Sequence, residues 1–406
     1  MSDTTEKPVF FDPTQRRTIY FTRFLAIAGF TATIVLTIFW ASVLTVPVSH
    51  RIRLNAPRFL PDNALRAAAT LDRKRSAKTP REDTRRVHKH SVPVKAPILS
   101  KSSRYDAQNP IIGAFYVSWD EVSLASLRQH AGELTHLFPG WLHLDNDGGR
   151  LIITDNDNAD IEARRIAQEK HLTIVPLLNN FSADINDFEE SRLHALLISP
   201  EKRQKVATQI RDYLLQNGYA GINIDLETED EDDRALLSIF TAEVAAVLRP
   251  AHLLISQDIQ VGDGEENSAI ASSCDFVVPM IYDLHYAGGE AGPIAPQEWA
   301  QQELDKVLKT IPASKVVLAI GNYAYNWERG KIGAQTLTFG EAMATARESL
   351  DSGESPVRFD RETRNPTFSY TESDGKRHDV WLLDAATAYN FQRYAAEKGV
   401  NGRALW

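Results

Sequence analysis

Asn223, Asp225 and Glu227 stand at alternate positions of an otherwise apolar run, Asn217–Glu227, which reads NGYAGINIDLE. Two carboxylates spaced this way can divide the work of an acid and a base, because like charges confined together make one of them hold its proton more tightly. The alternation suits a strand. Residues two apart share a face, so the polar trio points one way while Ile222, Ile224 and Leu226 point the other. Burying carboxylates is costly unless partners or a task hold them there. A satisfied polar ladder inside a core is therefore the alternative to a reactive site, and the surrounding elements decide between the two.

From residue 110 onward, apolar runs alternate with helical patterns. Strands are predicted at 111–119, 136–144, 172–181, 218–227, 252–260, 275–283, 316–327 and 402–406. Helices are predicted at 122–134, 159–170, 200–216, 232–249, 296–311, 339–350 and 384–398. An insertion with hairpin strands around 357–383 follows the seventh strand. Eight strands alternating with helices predict an α/β fold, a (β/α)8 TIM barrel with an insertion after strand seven. The competing doubly wound sheet is expected to open with a Gly-rich turn, and the first turn reads WDEVS instead.

In a barrel of this type the C-terminal strand ends build the site. Asp225 and Glu227 end strand four, Tyr282 and Asp283 end strand six, and Trp406 ends strand eight. That convergence favours a reactive site over a core ladder. Trp119, Asn179, Gln257, Asp258, Tyr323 and Trp327 fall at predicted strand ends, and His285 lies in the Gly-rich loop after Asp283; all are candidates for lining a substrate cleft. The acidic cluster Glu229, Asp230, Glu231, Asp232 and Asp233 lacks the spaced-ligand loop of a calcium site and opens a helix, where acids are favourable anyway. No metal and no organic cofactor is expected. Cys274, the sole cysteine, sits in an apolar run and reads as a small core residue.

The net charge of −9 conceals a basic arm before an acidic body: residues 1–105 carry +12 and residues 106–406 carry −21. Such a body argues against nucleic acid as a partner, since phosphate binding needs clustered Lys and Arg on the fold itself. Residues 1–23 are polar, and residues 24–48 hold no charge at all. The latter stretch is long enough to cross a hydrocarbon core of about 30 Å and lacks the short core and cleavage site of a signal peptide, so it predicts a single uncleaved anchor. Residues 49–109 are basic and rich in Pro, Ser and Thr, a disordered linker with one short helix near 62–75. His88 and His90 within it have no partner ligands nearby in sequence.

The run AGINIDLE resembles the DxxDxDxE signature of glycoside hydrolase family 18, the chitinase-type barrels, and the resemblance extends over residues 110–406. PMIYD (279–283) is similar to that family's strand-six motif and GRALW (402–406) to its last strand. PVFFDPTQRR, YDLHYAGGEAGPIAPQEW (282–299) and GNYAYNW (321–327) resemble a bacterial branch in which a membrane anchor precedes the barrel, and polysaccharide deacetylase and family 2 glycosyltransferase domains follow it. The chain stops within its last predicted strand, so on this resemblance it is expected to be an N-terminal fragment of such a protein.

The resemblance implies roles position by position. Glu227 is the general acid, Asp225 orients the substrate's acetamido group, Tyr282 hydrogen-bonds the acetamido carbonyl, and Trp406 is the aromatic floor. The substrate's own acetamide would be the nucleophile, in a retaining, substrate-assisted hydrolysis of β-linked N-acetylglucosamine polymers. Two signature positions differ: the first Asp is Ala220 and the middle one is Asn223, which can hydrogen-bond Asp225 but cannot ionise. A catalytically weak glycan-binding module serving deacetylase or glycosyltransferase partners is the alternative reading. By the same analogy, the anchor sits in the cytoplasmic membrane with the barrel on its periplasmic or extracellular side.

Overall fold

The computed structural model describes residues 109–406 apart from 183, 184, 186, 263–265, 352, 354 and 355. The expected anchor, the linker with its short helix, and His88 and His90 lie outside the described residues. Among those described, no helix is long and apolar enough to cross a membrane.

The chain runs β1 (Ile112–Tyr116), α1 (Glu121–His130), β2 (His136–Pro139), β3 (Leu142–Leu144), β4 (Leu151–Ile153), α2 (Asn158–Glu169), β5 (Thr173–Ile174) and β6 (Leu177–Asn179). A small hairpin, β7 (Phe181–Ser182) and β8 (Asp187–Phe188), precedes α3 (Glu190–Leu197), α4 (Pro200–Asn217), β9 (Gly221–Asp225), α5 (Glu231–Leu248), β10 (Leu254–Gln260), α6 (Glu266–Ser273) and β11 (Phe276–Met280). Then come α7 (Gln297–Thr310), β12 (Val317–Ile320), β13 (Tyr323–Glu328), β14 (Ala334–Thr338), α8 (Phe339–Asp351), β15 (Arg358–Phe359), β16 (Pro366–Thr371), β17 (Arg377–Leu382), α9 (Ala385–Glu397) and β18 (Gly402–Leu405).

Parallel pairings connect β12 to β18, β18 to β1, β1 to β2 and β2 to β5. A second parallel series connects β3 to β6, β6 to β9, β9 to β10 and β10 to β11. The series meet where β5 and β6 continue one another through Val175 and Pro176, and again at a parallel bridge between Val277 and Val316. This is an α/β fold of the TIM-barrel type.

Three predicted strands are interrupted. The second breaks into β2 and β3 at Gly140, and the third breaks at Pro176, which has no N–H to give a ladder. The run 316–327 does not continue as one strand. It turns at Gly321–Asn322, where a side chain at 321 would come within 2.7 Å of both Leu383 and Tyr323. Beyond that turn, β13 leaves the parallel series and joins an antiparallel sheet in the order β14-β13-β17-β16-β15. Two short helices that the sequence pattern did not mark, α3 and α6, occupy the connections before α4 and β11.

Inside the ring lie Ile111, Phe138, Val175, Phe276, Val278, Val317, Ala319 and Ala404, with Phe115 and Tyr282 packed on them. Space there is tight: a Cβ on Gly113 would stand 2.5 Å from the Phe138 ring. Between ring and helices runs the larger cluster that takes Ile222, Ile224, Phe240, Val244 and Leu248. Each isoleucine of β9 contributes about 1.5–3 kcal/mol by its burial there. The local chain explains why β9 begins where it does. Ser199 caps α4 by accepting from the Lys202 N–H, Pro200 suits the first turn, and Gly218, with φ of 69°, ends the helix in a left-handed turn that only glycine adopts without strain.

Candidate active site

All five residues of β9 are buried. Asn223 and Asp225 face the interior of the ring, and Glu227 follows just beyond the strand end. Asn180 fixes the backbone there: its amide oxygen accepts from the Glu227 N–H at 2.9 Å, and its Nδ2 donates to the Glu227 carbonyl at 2.9 Å. The side chain of Glu227 receives Gln260 Nε2 on Oε2 at 3.3 Å. Burial first, and the charge of Asp225 next, push the Glu227 carboxyl up to about 8, so it is a protonated acid at neutral pH.

β10 lies beside β9 with Ser256 opposite Asn223 and Gln257 opposite Ile224, a register that carries Asp258 opposite Asp225. Asn223 Nδ2 donates to Asp258 Oδ2 at 2.8 Å, and Ser256 Oγ donates to Asn223 Oδ1 at 2.7 Å. Burial holds both aspartates well above the usual carboxylate range; the charge of Asp258 adds to the rise at Asp225, while at Asp258 the Asn223 hydrogen bond opposes it and the charge of Glu227 adds to it. The register also corrects one expectation. Gln257 points outward to the helix layer, 1% exposed, and accepts from Thr241 Oγ1 of α5 at 2.6 Å. Its neighbours of opposite phase, Asp258 and Gln260, are the residues of β10 that face the site.

Past β11, Tyr282 is set among the acids. Its phenol is held above its ordinary range by burial, then by the negative potential of Asp258, Asp283, Asp225 and Glu227. Asp283 has φ of 61°, a left-handed conformation that Asp tolerates better than most residues. That turn sends its carboxylate to the antiparallel sheet, where Tyr323 OH donates to Oδ1 at 2.6 Å and Tyr325 OH to Oδ2 at 3.2 Å. Burial raises Asp283 to about 6, with the two phenols working against that rise. Along β13 the alternation puts Tyr323, Tyr325 and Trp327 on one face, with successive rings 5.3 and 5.4 Å apart. Tyr282 meets Tyr323 edge-on at 6.0 Å.

Trp406 follows β18, 44% exposed, with its ring edge-on to Phe115 at 5.2 Å. A large aromatic surface left open at the strand ends is suited to stacking on a sugar ring. Asp225, Glu227, Asn223, Asp258, Tyr282 and Asp283 are thus brought together, with Tyr323 reaching them through Asp283.

Other expected residues have other neighbours. Trp119 is half-buried against Gly140. Asn179 stands opposite Asp225 in the register of β6 with β9, and its Oδ1 faces His143 Nδ1 at 2.7 Å. His285 is half-buried in its own loop, with Nδ1 3.2 Å from the Glu290 carbonyl and its ring over Gly292. Trp327 donates its indole N–H to the Gly289 carbonyl at 3.1 Å. The acidic cluster is partly explained by its helix: Asp230 caps α5, accepting from the N–H groups of Asp232 and Asp233.

Four further residues of the site were not among those expected from the sequence: Asn180, Ser256, Gln260 and Tyr325. Period-two alternation, extended from β9 to its neighbour, selects Ser256 and Gln260 together with Asp258 and rejects Gln257. Asn180 and Tyr325 enter only through the packing of separate elements.

Comparisons with known proteins follow the same outline. Bacillus subtilis YdhD, named as a sporulation-specific glycosylase, is 24% identical over 261 residues, which cover 62% of this chain and 60% of that protein. The uncharacterized glycosylase YvbX of the same organism is 24% identical over 301 residues, 72% of this chain and 85% of that one. The chain spans less than two thirds of YdhD. Among solved structures, a chitinase from Chromobacterium violaceum superposes with a TM-score of 0.66 at 20% identity, covering 73% of this chain and 94% of that one. A class V chitinase from Nicotiana tobaccum in complex with NAG4 gives 0.60 at 15% identity, with 73% and 94% covered. At these identities the likenesses show the fold. The family model for glycosyl hydrolases of family 18 matches residues 111–406, and by that match, across most of its length, the chain belongs to family 18.

Proposed function

We propose that the protein hydrolyses β-linked N-acetylglucosamine-containing polysaccharide, chitin-like, peptidoglycan-related or exported, by a retaining mechanism in which the substrate's acetamide is the nucleophile. The observation that carries this reading is the state of Glu227: a half-buried residue whose carboxyl, beside Asp225, keeps its proton up to about pH 8 at the mouth of the strands. Such an acid can protonate a glycosidic oxygen near neutrality. Asp225, two residues back on the same face, accepts the acetamido N–H, and the Tyr282 hydroxyl, still protonated, donates to the acetamido carbonyl. Trp406 supplies the stacking surface. No step calls for a metal or an organic cofactor.

Support comes from the family and from the chitinase solved with NAG4, a complex of that relative. The membrane-anchored branch is part of the proposal as well. Residues 24–48 anchor the chain in the cytoplasmic membrane, and the closed (β/α)8 barrel with its insertion works outside the cytoplasm, where glycan and the deacetylase or glycosyltransferase partners meet it.

The test is to incubate the full chain and Glu227→Gln with N-acetylglucosamine oligomers and measure new reducing ends. Cleavage by the native chain that vanishes in the variant is the expected result. Oligomers that bind but stay intact would replace this reading with that of a glycan-binding module, which the loss of the first and middle signature acids at Ala220 and Asn223 would then explain.

A further inference from the structure

Asp258 lies on the strand next to the signature, and its surroundings give it a definite job. Ser256 Oγ donates to Asn223 Oδ1, and Asn223 Nδ2 donates to Asp258 Oδ2. The register then carries Asp258 opposite Asp225 on the neighbouring parallel strand, both side chains facing inward. Adjacent strands are about 4.8 Å apart, a gap that two such side chains can close. Asp225 and Asp258 are each 7% exposed. Each leaves one oxygen, Oδ1, buried and, among the described residues, without a hydrogen-bond partner.

Three protonation states can be weighed. With both groups ionised, two like charges face each other out of water and both Oδ1 atoms go unsatisfied. With both protonated, there are two O–H donors and one mutual contact, so one donor is wasted. With a single proton between them, one Oδ1 becomes a donor to the other and both orphan atoms are satisfied at once. We propose that Asp225 and Asp258 share one proton across β9 and β10, with Asp258 as the positioning residue that holds it while Asp225 keeps the charge.

The proton moves only between Asp258 Oδ1 and Asp225 Oδ1, and no bond to substrate is made or broken by it. Asn223 then acts as the clamp that presents Asp258, which accounts for an amide where the family signature has an acid. The further step, that charged Asp225 accepts an acetamido N–H, rests on the hydrolysis proposed above.

Infrared difference spectra of the full chain at pH 8 test the shared proton without turnover. In a Glu227→Gln background, Asp258→Asn and Asp225→Asn are each subtracted from the parent. Both replacements are isosteric, and at position 258 the amide retains an acceptor for Asn223. The expected difference is one exchangeable carboxylic-acid band, shifted by its carboxylate neighbour, that either disappears or moves to the position of an isolated acid in both variants. No such band, or a band left unmoved by either replacement, overturns the proposal.

With N-acetylglucosamine oligomers and Glu227 in place, Asp258→Ala is expected to lower kcat by about 100-fold with little change in KM, whereas Asp258→Asn, whose amide can still donate to Asp225, stays within about tenfold of the parent. Equal losses in the two variants would reduce Asp258 to a structural part. If the band behaves as expected and no oligomer is cut, the shared proton stands and the hydrolysis does not.

Discussion

The raised carboxyl of Glu227 ties the stability of the fold to pH. Its carboxyl ionises near 8 in the folded protein and near the ordinary 4.5 once unfolded. Between those values the folded state holds a proton that the unfolded state has released, so this group's stabilising contribution is complete below about pH 4.5 and is lost as the pH rises toward 8. Glu227→Gln has no such loss. The variant is expected to melt with the native chain at pH 4.5 and above it at pH 8, by about 1–3 kcal/mol, as thermal melts at the two pH values would read. On the proposed hydrolysis, the same proton sets the alkaline limb of activity. The rate of oligomer cleavage is expected to fall above about pH 8, and Glu227→Gln to lose about 10²–10⁴-fold at every pH. An alkaline limb several units higher would assign the acid to another residue.

Elements decide which of two neighbouring residues meets the substrate. Gln257 and Gln260 are three apart on β10, and the pleat sends them to opposite faces. Gln257→Ala is expected to cost about 1–2 kcal/mol in denaturant melts, by emptying a buried position and leaving the Thr241 hydroxyl only the Leu237 carbonyl as acceptor, with KM unchanged. Gln260→Ala should leave stability near the native value and move the alkaline limb upward, because its hydrogen bond to Glu227 favours the charged form. The reverse pattern would mean that β10 is read one residue out of register.

The alternation of β9, the acidic start of α5 and the order of strands and helices were legible in the sequence, since each is written in local chemistry. The strand breaks were not. Apolar runs hide them, and Gly140, Pro176 and Gly321 interrupt a run without changing its hydrophobicity. The departure of β13 into a separate sheet was hidden for the same reason, and with it the true errand of Tyr323, which is to hold Asp283. Tyr323→Phe leaves that carboxylate one donor short. The expected outcome is an Asp283 that titrates above 6, visible as an acid limb moved upward in the pH profile of cleavage.

At the scale of the molecule, an acidic body carrying −21 follows a basic arm carrying +12. On the proposed topology, removal of residues 24–48 is expected to release the chain from membranes, and protease added outside the cytoplasm to reach the barrel but not residues 1–23. Protection of the barrel would reverse the orientation.

The antiparallel sheet is tied down at several places. Asp283 accepts from Tyr323 and Tyr325, Ala334 N–H donates to the Ala287 carbonyl at 2.7 Å, and the fully buried Asn365 side chain binds both backbone groups of Ala295 at 2.9 and 2.7 Å. Asn322 N–H, at the root of the sheet, donates to the carbonyl of Trp406 at 2.8 Å. The consequence is mechanical. A flap needs a free edge and a slack hinge; this sheet has neither at the points where it meets the site, so it stands as a fixed cheek of the cleft. A glycan chain would then slide along it, and departure of the cut product would not wait for that wall to open.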